Sequence, residues 1–396
     1  MNDTLQNRTL GLYVAVMALI GIGAPIPTGA QTFSAGSDGS DGALEITENT
    51  TMDLPPDGIL HLTTFTVAPG TTLTFNRNAL NTPVYALATD DVLIEGTIDV
   101  DGQLPAGSLD GGPGGPGGFD GGVAGSIDAP GGAGQGPGSG RPGPGGSRNW
   151  TVGAGGGAFG TRGTMGIGDL DGTTYGSPLL MPLTGGSGGG GAILIASDTR
   201  IVINGSGLIF ARGGRSTTDS VHGYNGGSGG AVRLVAPRVF GNGTLNVEGG
   251  VFLGGHRAGD GRIRVDSLFT SDPDGSSLAF TVAPVGVATF GSTMLVFPPG
   301  NPHLDIVHAA GTPIPEGTTS QVLIQLPLGA DTNQTVTVQA RNFSNSVPIS
   351  VVLTPTSGDP KVYDAVIDND MANPAQISVD VQFPVNQLVH VNAWTR

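Results

Sequence analysis

The residues whose types and spacing could do chemistry are, first, carboxylates. Asp-x-Asp-Gly occurs three times, as Asp99 with Asp101, Asp169 with Asp171, and Asp272 with Asp274. Two carboxylates on one turn can begin a Ca2+ site, since calcium collects hard oxygen ligands from a flexible loop. None of the copies continues into the longer loop with a closing glutamate that completes an EF-hand-type site. Asp-Gly is also a favoured turn pair, so the motif reads as a turn first, with Ca2+ as the one cofactor it could hold. His303-Leu304-Asp305-Ile306-Val307-His308 has metal-ligand residue types as well. On a regular strand His303 and Asp305 face one side and His308 the other, so chelation would need a bend. Cysteine is absent, which removes thiolate sites, disulfides and a cysteine nucleophile. The tract GGSGGGG at 185–191 has no following Lys-Ser/Thr and no helix, so it is no phosphate loop.

The charge narrows the partners. There are 32 acidic against 16 basic residues, a net charge of −16, and one of the basic residues alone is lysine, Lys361. Nothing here neutralises a row of phosphates, which argues against nucleic acid. Anionic membranes and acidic polysaccharides are repelled unless a cation bridges. Glycine (71) and proline (29) approach low-complexity levels, yet 37% of the residues are hydrophobic, enough for a core. With only 5% aromatics, that core has to be thin β layers filled by Val, Ile, Leu and Ala.

Export is expected from the N-terminus. Arg8 precedes an apolar run, Leu10 to Ile22, then Pro25 and Pro27, and Thr28-Gly29-Ala30 offers small residues for cleavage after Ala30. The run is too short for a membrane span, and no second span follows it. Export without cysteine points to a bacterial source and an extracellular or cell-surface location.

The elements that position the carboxylates repeat. VYALATDDVLIEGTIDVDGQ (84–103), GGAILIASDTRIVINGSGLIFARGG (190–214) and GGAVRLVAPRVFGNGTLNVEGG (229–250) align as strand, short strand, glycine turn, third strand and closing glycine. Short period-two strands repeating in this way predict coils of a parallel β-solenoid; the alternative is an ordinary antiparallel sandwich. In such coils Ile193, Ile195, Ile201, Ile203, Leu245 and Val247 point inward, and Arg233, Arg262 and Arg264 alternate outward. Residues 58–79 and 261–268 have the same beat. Between the first and second copies lies a Gly-rich insert containing GGPGGPGG (111–118). Its glycines keep a period of three only in interrupted phases, which excludes collagen and predicts an ordered polyproline II-like cap against the coils. From about 278 glycine thins, and Val/Thr/Gln strands appear at 319–327, 334–340, 347–355, 361–367, 376–383 and 388–394. These predict an immunoglobulin-like sandwich. The expected organisation is a signal peptide at 1–30, solenoid coils at 31–103, the insert at 104–189, further coils at 190–277 and the sandwich at 278–396. The fold class is all-β.

AGSDGSDGALEITENTT (35–51) and PPDGILHLTTFTVAPGTTLTFNRNALNTPVYALATDDVLIEGTIDVDG (55–102) carry a resemblance. With the DGSDGAL start, the IxGxIDVxG coil and the Gly-rich middle, roughly 31–270 resembles a group of uncharacterised secreted bacterial glycine-rich β-solenoid proteins. The resemblance implies architecture and export and brings no catalytic residues. A fainter likeness is to β-helix pectin-degrading hydrolases, through Gly-Gly-His-Arg at 254–257 and Arg-Ile-Arg at 262–264. The spacing is far too short for that family, and no acidic pair stands upstream where it places one. A glycosidase needs an acid and a base across the scissile bond.

The expected function is a secreted, non-catalytic structural or adhesive protein. Its partners would be an extracellular glycan, the cell envelope or other copies of itself, with Thr63, Thr64 and Thr66 as contacts. The alternative is a carbohydrate-active enzyme, a polysaccharide lyase or hydrolase, using Asp99, Asp101, His256 and Arg262.

Overall fold

The computed structural model describes residues 33–396 apart from 105–110, 124–129, 143–156, 163–171, 182, 215–225, 252–256, 272–274, 276, 299, 301, 319, 344 and 371. The signal-peptide reading falls outside the described residues. Phe33–Arg396 is one compact unit, all-β, with no helix among its described residues. Accordingly, none of them forms a helix long and apolar enough to cross a membrane.

The first fifteen strands are short and apolar at every second position. They are β1 (Gly42–Ile46), β2 (Thr50–Asp53), β3 (Ile59–Val67), β4 (Thr72–Asn76), β5 (Val84–Ala88), β6 (Val92–Ile94), β7 (Thr97–Asp99), β8 (Ala192–Ser197), β9 (Arg200–Ile203), β10 (Leu208–Phe210), β11 (Ala231–Gly241), β12 (Thr244–Asn246), β13 (Arg262–Phe269), β14 (Thr281–Ala283) and β15 (Ala288–Gly291). Every ladder among them is parallel, which excludes the antiparallel alternative for this region.

Three ladders result. The first runs β3-β5-β8-β11-β13-β15, using the front half of β3 and of β11. The second runs β1-β3-β6-β9-β11 through their back halves. The third runs β2-β4-β7-β10-β12-β14. In-register pairing stacks like on like: Leu73, Ile98, Ile209 and Leu245 are successive partners on the third ladder. Phe65, Val92, Ile201 and Val239 are successive on the second. All eight belong to one buried core with Ile193, Ile195, Ile203 and Val247. The inward set read from the sequence is therefore inside.

The glycine turn of each copy has a steric cause. A Cβ on Gly96 would sit 2.3 Å from the Ala68 carbonyl oxygen, and one on Gly207 2.3 Å from that of Ile94. The turns stack so closely that backbone fills the space of a side chain.

The first ladder is covered on both sides. Its outer side carries Tyr85, Leu87, Leu194 and Val235 beneath Phe159, Leu180, Leu183, Val296 and Phe297. Burial on both faces explains why β8 reads as an unbroken apolar run, AILIAS, instead of alternating. Tyr85 packs on the Phe297 ring at 5.2 Å, and burial pushes its hydroxyl up to about 12.

This cover overturns one expectation. Arg233 and Arg264 leave the strands on the outer side, as alternation requires, yet both are buried; Arg262 is half-buried. Arg233 donates to the Leu295 carbonyl at 2.6 Å, to that of Val296 at 3.2 Å and to Asp266 at 3.4 Å. Arg264 donates to Asp266 at 2.5 and 3.0 Å, and the Thr293 amide donates to the same carboxylate at 3.0 Å. The group ties residues 293–296 onto the ladder. Burial holds the Arg233 guanidinium below its ordinary range, with Asp266 opposing the shift.

The described glycine-rich residues between β7 and β8 pack backbone to backbone. Gly115 donates to Gly189, Gly185 to Gly117, Gly190 to Ser228 and Gly259 to Gly157, at 2.8–3.0 Å. Glycines from the copies join the same cluster: a Cβ on Gly227 would lie 1.6 Å from the Gly188 oxygen. At Gly227 main chains this close leave no room for any side chain.

Seven more strands follow: β16 (His303–Ala309), β17 (Thr312–Pro313), β18 (Asn333–Arg341), β19 (Val347–Pro355), β20 (Lys361–Ile367), β21 (Ala375–Gln382) and β22 (Val389–Thr395). They form two antiparallel sheets, β17-β16-β18-β21 and β20-β19-β22, which share a core of Val336, Val338, Val379, Ile349, Val351 and Leu353. The expected strand at 319–327 is a correction. Residues 321–327 join neither sheet, and Leu323 is 84% exposed. Proline at 315 and 327 brackets the segment and withholds backbone donors at both ends. The glycine cluster touches these sheets: Gly358 donates to the Gly131 carbonyl at 3.0 Å, and Phe119 meets Trp394 edge-on at 6.0 Å.

Candidate functional site

The outer side of the third ladder carries an ordered array of polar side chains. Register places Thr72, Thr97, Leu208, Thr244 and Thr281 in one row across five strands. A second row, two residues along, holds Thr51, Thr74, Asp99, Phe210, Asn246 and Ala283. Neighbouring rungs of such a ladder are about 4.8 Å apart. All these side chains are exposed or half-buried.

Side-chain pairs across rungs hold the border of this face. Asn76 donates to Asp53 at 2.7 Å, and the Thr51 and Thr74 hydroxyls meet at 2.7 Å. Arg212 pairs with Asp101 at 2.6 Å and lies 4.0 Å over the Phe210 ring. Arg257 donates to Glu248 at 2.7 Å. Burial raises the Asp101 carboxyl, against the hydrogen bond from Arg212. The Arg257 hydrogen bond holds Glu248 below its ordinary 4.5. A depressed carboxyl stabilises the fold above its unfolded pKa and loses that contribution as pH falls through the folded value. Arg257→Gln will therefore flatten the acid limb of the stability curve below about pH 4.5, read by urea midpoints from pH 3 to 6. An unchanged acid limb would refute the assignment.

The structure separates the other candidates. Asp101 is committed to Arg212, and Asp99 accepts the Asp101 amide at 2.9 Å. Arg262 starts β13 on the first ladder, whereas Asp99 ends β7 on the third. Its guanidinium donates to the Tyr175 carbonyl at 3.1 Å and faces the Phe159 ring at 5.6 Å; burial lowers its pKa. No hydrogen bond or ion pair joins Arg262 to Asp99 or Asp101 among the described residues. His256, Asp169, Asp171, Asp272 and Asp274 lie outside the described residues. Thr63, Thr64 and Thr66 are half-buried, not exposed. Thr63 sits under the segment before β1, where a Cβ on Gly39 would be 3.0 Å from its methyl. Thr66 is flanked on the second ladder by Glu45 and Leu93.

The histidine motif is corrected by a bulge. The register of β16 on β18 slips between Ile306 and His308, so His308 opposes Thr337 while Asp305 opposes Gln339 and His303 opposes Arg341. Residues 337, 339 and 341 share one side of β18, so all three motif residues fall on that side. The bend that the sequence lacked is present. Even so, no group of three His, Asp or Glu among the described residues is arranged to hold a metal ion.

The threonine rows escaped the sequence reading, although the signal was there. Aligning the third strand of each copy (TID, LIF, TLN) puts Thr97, Leu208 and Thr244 in one column. Comparison with known proteins finds no family model, no curated protein and no solved structure that matches this chain.

Proposed function

We propose that the chain is a secreted bacterial, non-catalytic adhesive or structural protein that binds an extracellular glycan along the outer side of the third ladder. In this reading the β-solenoid with its polyproline II-like glycine insert runs past the expected boundary at 277, because β14 and β15 continue its parallel ladders; the immunoglobulin-like module begins at β16, and the kinship is with secreted glycine-rich solenoid proteins. The carrying observation is the double row of Thr72, Thr97, Thr244 and Thr281 with Thr51, Thr74, Asp99 and Asn246. Its rung spacing is close to the rise of one sugar along an extended polysaccharide. Hydroxyl, carboxylate and amide groups complement sugar hydroxyls, Leu208 between Thr97 and Thr244 offers an apolar patch, and weak contacts repeated along a polymer add to useful avidity. The acid-base groups favour binding over catalysis, because Asp101 and Arg262 are tied into structural contacts.

The test is retention on insoluble polysaccharides together with product release from pectin and alginate. The double variant Thr97→Lys/Thr244→Lys, which fills the row with long side chains, will weaken retention about tenfold or more and leave the fold intact. Retention equal to that of the parent would remove the face from consideration. Product release abolished by substituting Arg262 would replace the reading with a carbohydrate-active enzyme.

A further inference from the structure

The C-terminal sheets hold a groove that the third-ladder face does not use. It is an open groove of about 620 Å3, lined by Asn333, Gln334, Thr335, Tyr363, Asp380, Val381 and Gln382. The start of β20 contacts the end of β21, which pairs with β18 in the other sheet. Asn333 is opposite Gln382, and Thr335 opposite Asp380. The Gln382 amide donates to the Tyr363 hydroxyl at 2.9 Å. The Lys361 ammonium donates to the Gln382 carbonyl at 3.3 Å and to its side-chain oxygen at 3.1 Å. Gln334 donates to the Asp331 carbonyl at 2.7 Å, and Thr335 to Asp380 at 3.2 Å. The groove is built before any ligand arrives, because each long side chain is already held at one atom.

We infer that this groove binds a short neutral saccharide. What the anchoring leaves over decides the chemistry. Gln382 keeps its amide donors, Gln334 its side-chain oxygen, and Asp380 the acceptor sites that Thr335 does not take; Asn333 is exposed. Donors and acceptors thus line the groove together with a half-buried tyrosine ring, the combination that reads a ring of hydroxyls with an apolar face. A peptide adding as a strand needs the free backbone of β21, the edge of its sheet. At Gln382 both the N–H and the C=O are already taken, by Tyr363 and Lys361. Recognition therefore falls to side chains. An acidic sugar would meet Asp380 and a chain of net charge −16, with Lys361 already engaged. The volume accommodates a short oligosaccharide.

The experiment is calorimetry and ligand-observed NMR on the full chain with cellotriose, mannotriose and xylotriose, and with trigalacturonate as the acidic arm. At least one neutral trisaccharide will bind. Asp380→Ala and Gln382→Ala, both at exposed positions, will weaken it about tenfold or more. Tyr363→Ala will do the same, and Tyr363→Phe will restore binding by keeping the ring. Thr97→Lys/Thr244→Lys will leave it unchanged, so the groove and the third-ladder face stand or fall separately. The inference is overturned by the absence of binding to all three neutral sugars, by binding that survives both Asp380→Ala and Gln382→Ala, or by tighter binding of trigalacturonate.

Discussion

Asp266→Ala will cost about 3–5 kcal/mol of stability, more than any exposed charge in the chain. The carboxylate is 0% exposed and is the shared counter-ion of Arg233 and Arg264. It also takes the Thr293 amide. Removing it strands two guanidinium groups in a layer roofed by Val296, Met294 and Phe297, where water cannot reach Arg233. Arg233→Met will cost less, because it keeps the apolar stem and loses the bonds to the Leu295 and Val296 carbonyls. A reference pair lies on the surface: Arg200 with Asp91, 44% and 38% exposed. There Arg200→Ala will cost about 1 kcal/mol or less. Urea unfolding at neutral pH ranks the three. A loss for Asp266→Ala no greater than for Arg200→Ala would show that the cluster is hydrated and does not clamp residues 293–296.

The second large effect is steric. Gly227→Ala will cost about 3 kcal/mol or more, at the upper end of overpacking effects. Its new methyl would lie 1.6 Å from the Gly188 oxygen and 2.3 Å from the Gly188 carbonyl carbon. Both are main-chain atoms held in the cluster through neighbouring bonds such as Ser228 to Ser187, 3.1 Å, so no rotamer change relieves the clash. Gly230→Ala meets the Gly191 oxygen at 1.8 Å and will behave alike. Gly205→Ala is the control: its nearest atom is the Asn242 side-chain oxygen at 3.3 Å, which can turn away. That change will be within about 1 kcal/mol of neutral. Denaturation midpoints, with amide exchange at Ser228 and Gly190, distinguish the outcomes. Equal midpoints for Gly227→Ala and Gly205→Ala would mean that the glycine cluster is loose packing.

What the sequence by itself determined is the side of each strand on which a residue stands. Period-two alternation put Ile193, Ile195, Ile201, Ile203, Leu245 and Val247 inside, and aligned copies with equal turn glycines stack in parallel register, because one local rule repeats at every rung. The candidate site was not read from the sequence, which pointed to Thr63, Thr64 and Thr66 instead, although Thr97 and Thr244 share one column of the third strands. Only the tertiary structure decided what covers each side. Arg233 points outward as read, yet its partners Leu295 and Val296 lie 62 and 63 residues along the chain, and no local period records such a neighbour. The bulge before His308 and the unpaired segment 321–327 have the same origin, since register and ladder membership depend on a distant strand being there to pair. Alternation fixes direction, and packing between remote segments fixes exposure, charge environment and which rows remain open to a ligand.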